Sequence, residues 1–321
     1  MPRSYERINY SLRPCKSVER KMLCEGFRRL SPFASLKSYR YVGFGSPYFT
    51  DFRLIHRALG AKQLVSIERD VDNSDRFSFN KPFDCIEMKF GESNDVLDDF
   101  EWSVRTIMWL DYDGGLDRGV LTDIRHFCAN AISGSILVVT TNAHPKPSEG
   151  KPPEEIREYR LQQLKDEVGE ENVPQGTSGS ELAGWGTAAV YRKIITNHIS
   201  YTLMERNGLL ADQNQFLYEQ LFNFRYADGA KMVTVGGAVY DRGQAHVLAS
   251  CAFAELDFVR GGDEPFLIDL PNLTYREIRR MDSQLPCQNP EQILIPPIPE
   301  ADKIRYAKFY RYFPTFTEAE L

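Results

Sequence analysis

The run WLDYDGG closes a strongly apolar segment on two acidic residues, Asp111 and Asp113. A carboxylate at the end of a buried strand faces the crevice beyond the sheet, where it can orient an acceptor or take its proton. Other spacings point to the same kind of place. YVGFGS sets Gly43 and Gly45 two apart, flanked by Tyr41, Phe44 and Ser46, and small residues there let backbone amides approach a ligand. SIERD ends an apolar run on Glu68 and Arg69, and Glu68 lies 25 residues past Gly43. An acid about 20 residues on is placed to accept hydrogen bonds from ribose hydroxyls. FGES puts Glu92 and Ser93 after a further run, and TTNAH puts Asn142 and His144 after another, with His144 a candidate general base.

The elements that must hold these residues alternate. Helical spacing of Val18, Met22, Phe27 and Leu30 predicts a helix over 17–30, with Ser17 as its N-cap. Short apolar runs predict strands at 39–43, 64–68, 85–90, 106–110 and 135–141, separated by helices at 47–59, from 93 or 94 onward, and at 116–132. Strands alternating with helical crossovers imply an α/β, doubly wound, mostly parallel sheet covered on both faces. The pattern breaks over 142–186, a proline-rich loop, a charged helix and a Gly/Ser-rich loop, which is expected to shape a pocket or lie on the surface. A helix over 187–206 follows, then two β-rich runs in 216–240 joined at Asp228-Gly229, a hairpin signal. That predicts a seven-stranded sheet with a terminal antiparallel hairpin. The expected domains are a helical cap over 1–36, a Rossmann-like domain over 37–253, and an extension over 254–321. The extension carries a short helix near 275–281 and an aromatic-basic end, YAKFYRYFP, that packs on the domain, meets a protein partner, or joins a homo-oligomer.

Of 321 residues, 42% are hydrophobic and 26% charged, ordinary for a protein with a sizeable core. A net charge of −6 argues against a broad nucleic-acid surface. Six cysteines without a C-x-x-C pair read as reduced thiols of a cytoplasmic protein. The N-terminus has no apolar segment like a signal peptide, and no run has the length to cross a bilayer, so no membrane association is expected. Arg13 and Lys16 belong to a basic stretch that either forms a solvated face or reaches over a cofactor or anionic substrate.

Taken in order, YVGFGS, SIERD, FGES and WLDYDGG resemble the class I, Rossmann-like S-adenosylmethionine-dependent methyltransferases over roughly 39–141, and the hairpin matches that family's final pair. The resemblance implies that Gly43 and Gly45 line the methionine moiety of S-adenosylmethionine, that Glu68 holds the ribose, and that Glu92 and Ser93 border the adenine. Asp111 would open the catalytic face, with Tyr112 and Asn142 toward the acceptor. Two positions differ from the family: Tyr41 stands where an acid is usual, and Ser46-Pro47 where a third glycine is. The stretch after the fourth strand is closest to small-molecule O-methyltransferases, in which paired acids hold a divalent cation. Here Asp111 and Asn142 remain but Thr141 replaces the second carboxylate, so no metal is expected. Two alternatives stay open: a methyltransferase-like scaffold or nucleotide sensor without transfer activity, and an NAD(P)-dependent oxidoreductase.

Overall fold

The computed structural model describes residues 13–145 and 150–314. The first twelve residues of the expected cap, and 146–149 of the proline-rich loop, lie outside the described residues. The sheet is built from β1 (Arg40–Gly43), β2 (Gln63–Glu68), β3 (Ile86–Phe90), β4 (Thr106–Asp111), β5 (Ser135–Asn142), β6 (Phe216–Asp228), β7 (Ala230–Asp241) and β8 (Phe266–Ile268). These eight strands run in the order β3-β2-β1-β4-β5-β7-β6-β8, with only β7 antiparallel to its neighbours. The hairpin turns at Asp228-Gly229 as its sequence predicts. The expected count of seven is corrected to eight: three residues of the extension, Phe266 to Ile268, add parallel to β6. A strand that short carries too few residues to show periodicity.

Alternation along the strands sorts the core onto two faces. Tyr41 and Trp109 point to one, packed with Val18, Met22 and Phe27 of α1 (Pro14–Arg28) and Phe52 and Ile55 of α2 (Thr50–Leu59). Val42, Met108 and Leu110 point to the other. There they meet Leu121, Ile124 and Phe127 of α5 (Arg118–Asn130) and Ile194 and Ile199 of α7 (Gly186–Asn207). Between them in sequence come α3 (Ser74–Asn80), α4 (Ser93–Asp98) and α6 (Pro153–Val168). The continuous apolar run of β4 is thus divided between two covered faces, which is why it shows no polar side.

Two helix starts differ from expectation. α1 opens at Pro14, which has no N–H to leave unpaired at the first helical position. The Asp228 carboxylate accepts from the amides of Cys15 (3.1 Å) and Lys16 (2.9 Å), so the cap comes from the β6–β7 turn and not from Ser17. α2 begins at Thr50 rather than Pro47, because Ser46 and Phe49 take positive φ of 48° and 47° and carry the chain through a turn first. The extension is drawn onto the body through α10 (Glu300–Phe309), after α8 (Ala245–Ser250) and α9 (Tyr275–Asp282). Lys21 Nζ donates to the carbonyls of Tyr312 (2.9 Å) and Phe313 (3.2 Å), and Tyr306 and Phe309 of the aromatic end are buried. The six cysteines are free thiols, and no helix among the described residues is long and apolar enough to cross a membrane.

Gly237 marks where the sheet tolerates no side chain: a Cβ there would lie 2.1 Å from the Glu219 carbonyl oxygen and 2.7 Å from the Tyr218 ring. Gly237→Ala is expected to destabilise the protein by about 2 kcal/mol or more, since backbone atoms must separate. A urea midpoint equal to that of the wild type would contradict this packing.

Candidate active site

A parallel sheet leaves a crevice at the carboxyl ends of its strands where the order reverses, here between β1 and β4. A cavity of about 730 Å³ occupies it. Four strand exits wall it: Phe44, Gly45 and Ser46 after β1, Glu68 and Arg69 at the end of β2, Glu92 and Ser93 after β3, and Asp111, Tyr112 and Asp113 at the end of β4. The sequence thus places ten of its candidates around one space. The two residues on which a nucleoside reading depends, Gly45 and Glu68, share that wall.

Around the glycine loop, backbone donors find partners within the protein. The Gly45 amide donates to Ser66 Oγ (3.1 Å) and the Ser46 amide to Glu68 Oε1 (2.8 Å), while Ser66 Oγ also donates to Glu68 Oε1 (3.3 Å). A Cβ on Gly45 would come 2.6 Å from Ser66 Oγ and 2.7 Å from the Phe49 ring, so the loop's own packing requires glycine. Burial pushes the Glu68 carboxyl up to about 7, against the opposing pull of the Ser46 and Gly45 amides and Ser66.

Asp111 is held from the opposite side by α1. Lys16 Nζ lies 2.7 Å from Asp111 Oδ1, 2.7 Å from Glu19 Oε2 and 4.5 Å from the centre of the Trp109 ring. Burial raises the Glu19 carboxyl, partly offset by Lys16. Lys16 is 0% exposed, which corrects the expectation that it touches substrate: it anchors the acid that lines the cavity. Arg13 also stays off the cavity wall, its guanidinium 4.0 Å from Asp228. Tyr41 is core, its ring edge-on to Phe52 at 5.0 Å, and Gly43 is sheet, where a Cβ would press within 2.9 Å of the Trp109 carbonyl. Neither lines the cavity.

His144 sits instead in a separate small pocket with Arg160, Glu167 and Tyr191, which removes it as a base for this cavity. Asn142 is also off the wall; its side-chain oxygen accepts from the His144 amide (2.8 Å) and its own amide donates to the Gly114 carbonyl (2.8 Å). The cavity takes Arg20 from α1 but none of the described residues of 142–186. The described residues contain no cluster of three or more side chains suited to a metal ion.

Three functional candidates came from helices and were missed. Asp123 of α5 is fully buried and accepts from Ser93 Oγ (2.5 Å), Tyr112 Oη (2.5 Å) and Asn94 Nδ2. Burial raises its carboxyl, offset by those three donors, and burial with Asp123 beside it raises the Tyr112 phenol. Arg20 and Asp51 pair through Arg20 Nε at the cavity wall. The available signal was periodic: Lys16, Glu19 and Arg20 at i, i+3 and i+4 share one helix face, and Asp123 sits between Val120 and Phe127 on an apolar one.

The sheet order with one reversed strand, and the switch-point cavity walled by four strand exits, are those of a fold similar to the class I methyltransferases. Residues 8–321 match the family described as "Putative O-methyltransferase", and the chain belongs to that family. The oxidoreductase alternative falls with that membership. No curated protein matches. Among solved structures, the chain is similar to Trm1 from Pyrococcus horikoshii in complex with S-adenosyl-L-methionine, at 10% identity and TM-score 0.47, over 83% of this chain and 67% of that one. It is similar to a geranyl diphosphate methyltransferase in complex with SAM, at 11% identity and TM-score 0.36, over 69% and 84%. It is also similar to the S-adenosylmethionine-dependent methyltransferase SibL, at 10% identity and TM-score 0.32, over 63% of this chain; it spans 50% of SibL's length.

The raised Glu68 carboxyl has a signed consequence. Between its ordinary value of 4.5 and about 7, the folded state holds a proton that the unfolded chain has released. Stability contributed at this site therefore falls as pH rises through that window, and the cost is complete above it. Glu68→Gln removes the titration. Its stability relative to wild type is expected to improve by on the order of 2 kcal/mol between about pH 4 and about pH 8. Thermal or urea unfolding across that range measures it, and a difference constant with pH would refute the buried, proton-retaining carboxyl.

Proposed function

We propose that this chain binds S-adenosylmethionine in the switch-point cavity and transfers its methyl group to an acceptor oxygen. The observation that carries the reading is the convergence of the β1, β2, β3 and β4 exits on one cavity of about 730 Å³. S-adenosylmethionine supplies an electrophilic methyl group on a sulfonium; alignment and exclusion of water are left to the protein. In this reading Glu68 accepts hydrogen bonds from the ribose hydroxyls, with Arg69 beside it, and Glu92 and Ser93 border the adenine. The Asp123 network fixes Ser93, Asn94 and Tyr112, so this wall is set before a ligand arrives.

Asp111, held at Oδ1 by Lys16, faces the acceptor and accepts a hydrogen bond from its hydroxyl, with Tyr112 and Asp113 alongside. The oxygen specificity rests on the family's description and on this arrangement of acceptor groups. Lys16 neutralises Asp111 from behind at Oδ1, so this reading assigns the acid no divalent cation. One observation favours a second reading, a nucleoside-binding scaffold without transfer: Tyr41 puts a buried phenol where the family places an acid.

S-adenosylhomocysteine is expected to raise the melting temperature, by the equivalent of about 2.7 kcal/mol at a hundredfold excess over its Kd, while NADH and NADPH leave it unchanged. No shift with S-adenosylhomocysteine would end both readings. Transfer of a labelled methyl group from S-adenosylmethionine into a metabolite extract, with the product identified by mass, separates enzyme from scaffold. The enzyme reading expects a methylated oxygen and a rate indifferent to chelator; a methylated nitrogen, or loss of rate on chelation, would overturn those parts of it.

A further inference from the structure

The half of the cavity over β2 and β3 is occupied in the reading above by the nucleoside. The other half, over β1 and β4, carries charges that the nucleoside does not use. Arg20 and Asp51 both line the cavity although they are only 5% and 8% exposed. Arg20 Nε donates to Asp51 Oδ1, and Asp111 stands at the same end of β4 with Lys16 behind it at 2.7 Å. Burying an arginine and an aspartate costs desolvation that an apolar pair would avoid, so stability alone does not account for them. A guanidinium beside two carboxylates complements a zwitterion: the planar fork matches a carboxylate, and the acids match an ammonium.

Tyr41 adds an independent reason. It stands two residues before Gly43, where the family's pattern has an acid, and its buried ring supplies no carboxylate. The carboxylates at this end come from Asp51 and Asp111 instead. Resting on the cofactor reading above, we propose that Arg20 and Asp51 clamp the α-amino-acid end of the cofactor, Arg20 receiving its carboxylate and Asp51, with Asp111, its ammonium. The N-terminal helix is then part of the cofactor site.

Two probes isolate that end. S-adenosylhomocysteine carries the amino-acid chain; 5′-methylthioadenosine is the same nucleoside thioether without it. Binding of both is measured by calorimetry to wild type, Arg20→Met, Arg20→Lys and Asp51→Asn. Arg20→Met and Asp51→Asn are expected to weaken S-adenosylhomocysteine by about tenfold or more, with 5′-methylthioadenosine changed by less than about twofold. Arg20→Lys keeps the charge, loses the fork and falls between, and with Asp51→Asn it covers the case in which Arg20→Met does not fold. Equal losses for both ligands, or an unchanged affinity for S-adenosylhomocysteine, would overturn the clamp. Failure of wild type to bind either ligand would instead overturn the cofactor reading on which the clamp rests.

Discussion

A single buried ammonium ties the N-terminal helix to the end of the central strand. Lys16 is fully buried between the carboxylates of Glu19 and Asp111 and over the face of Trp109. Removing one partner from such a cluster leaves a charge in low dielectric without compensation, which typically costs about 3–5 kcal/mol. The helix therefore cannot leave the sheet without exposing that penalty. Its other end of the contact is equally tied, since Asp228 of the β6–β7 turn caps it and Thr234 of β7 donates to Glu19. A segment that the sequence presents as a basic flank is in this way an integral wall of the site.

The glycine loop shows a different economy. Its amides are satisfied internally by Ser66 and Glu68, as buried polar groups ordinarily are, and Ser46 and Phe49 hold positive φ to make this possible. Register explains the geometry: Gly43 pairs with Ser66 across β1 and β2, so the chain leaving β1 passes over the side chains that end β2. Pro47, which has no amide to donate, costs this loop nothing because the donors in use are those of Gly45, Ser46, Tyr48 and Phe49. In the proposed reading, a ligand reaching for Glu68 meets a carboxylate that already serves the loop through the Ser46 amide and Ser66.

Much of this was legible in the sequence, and what was not shares a cause. Strands β1 to β5 announce themselves because each is an apolar run fixed between turn signals, and the residues at their exits follow from that placement. Glu68 and Asp111, each ending such a run, line the cavity. Arg20, Asp51 and Asp123 were passed over because a charged side chain on a helix reads as solvated until a partner element covers it. The same ignorance of partners misplaced Lys16, whose burial depends on Trp109 and Asp111 far along the chain, and Ser17, whose capping role Asp228 takes from across the molecule. Asn142 and His144 follow a strand correctly located, yet neither lines the cavity: the Asn142 backbone amide donates to the Gly114 carbonyl and its side chain accepts from the His144 amide.

The two polar networks that shape the cavity lie on opposite faces of the sheet, and adjacent residues connect them. By strand alternation Trp109 and Asp111 face α1, while Leu110 and Tyr112 face α5. Asp111 meets Lys16, and one residue later Tyr112 donates to Asp123 while its ring stands edge-on to Phe44 of the glycine loop at 5.1 Å. The stretch Leu110-Asp111-Tyr112 is thus gripped from both sides by buried groups, one cationic and one acidic. A displacement of that strand end must strain both networks together, because neither ion pair nor short hydrogen bond can follow a backbone that moves away from it. This wall of the cavity is consequently held by both networks at once.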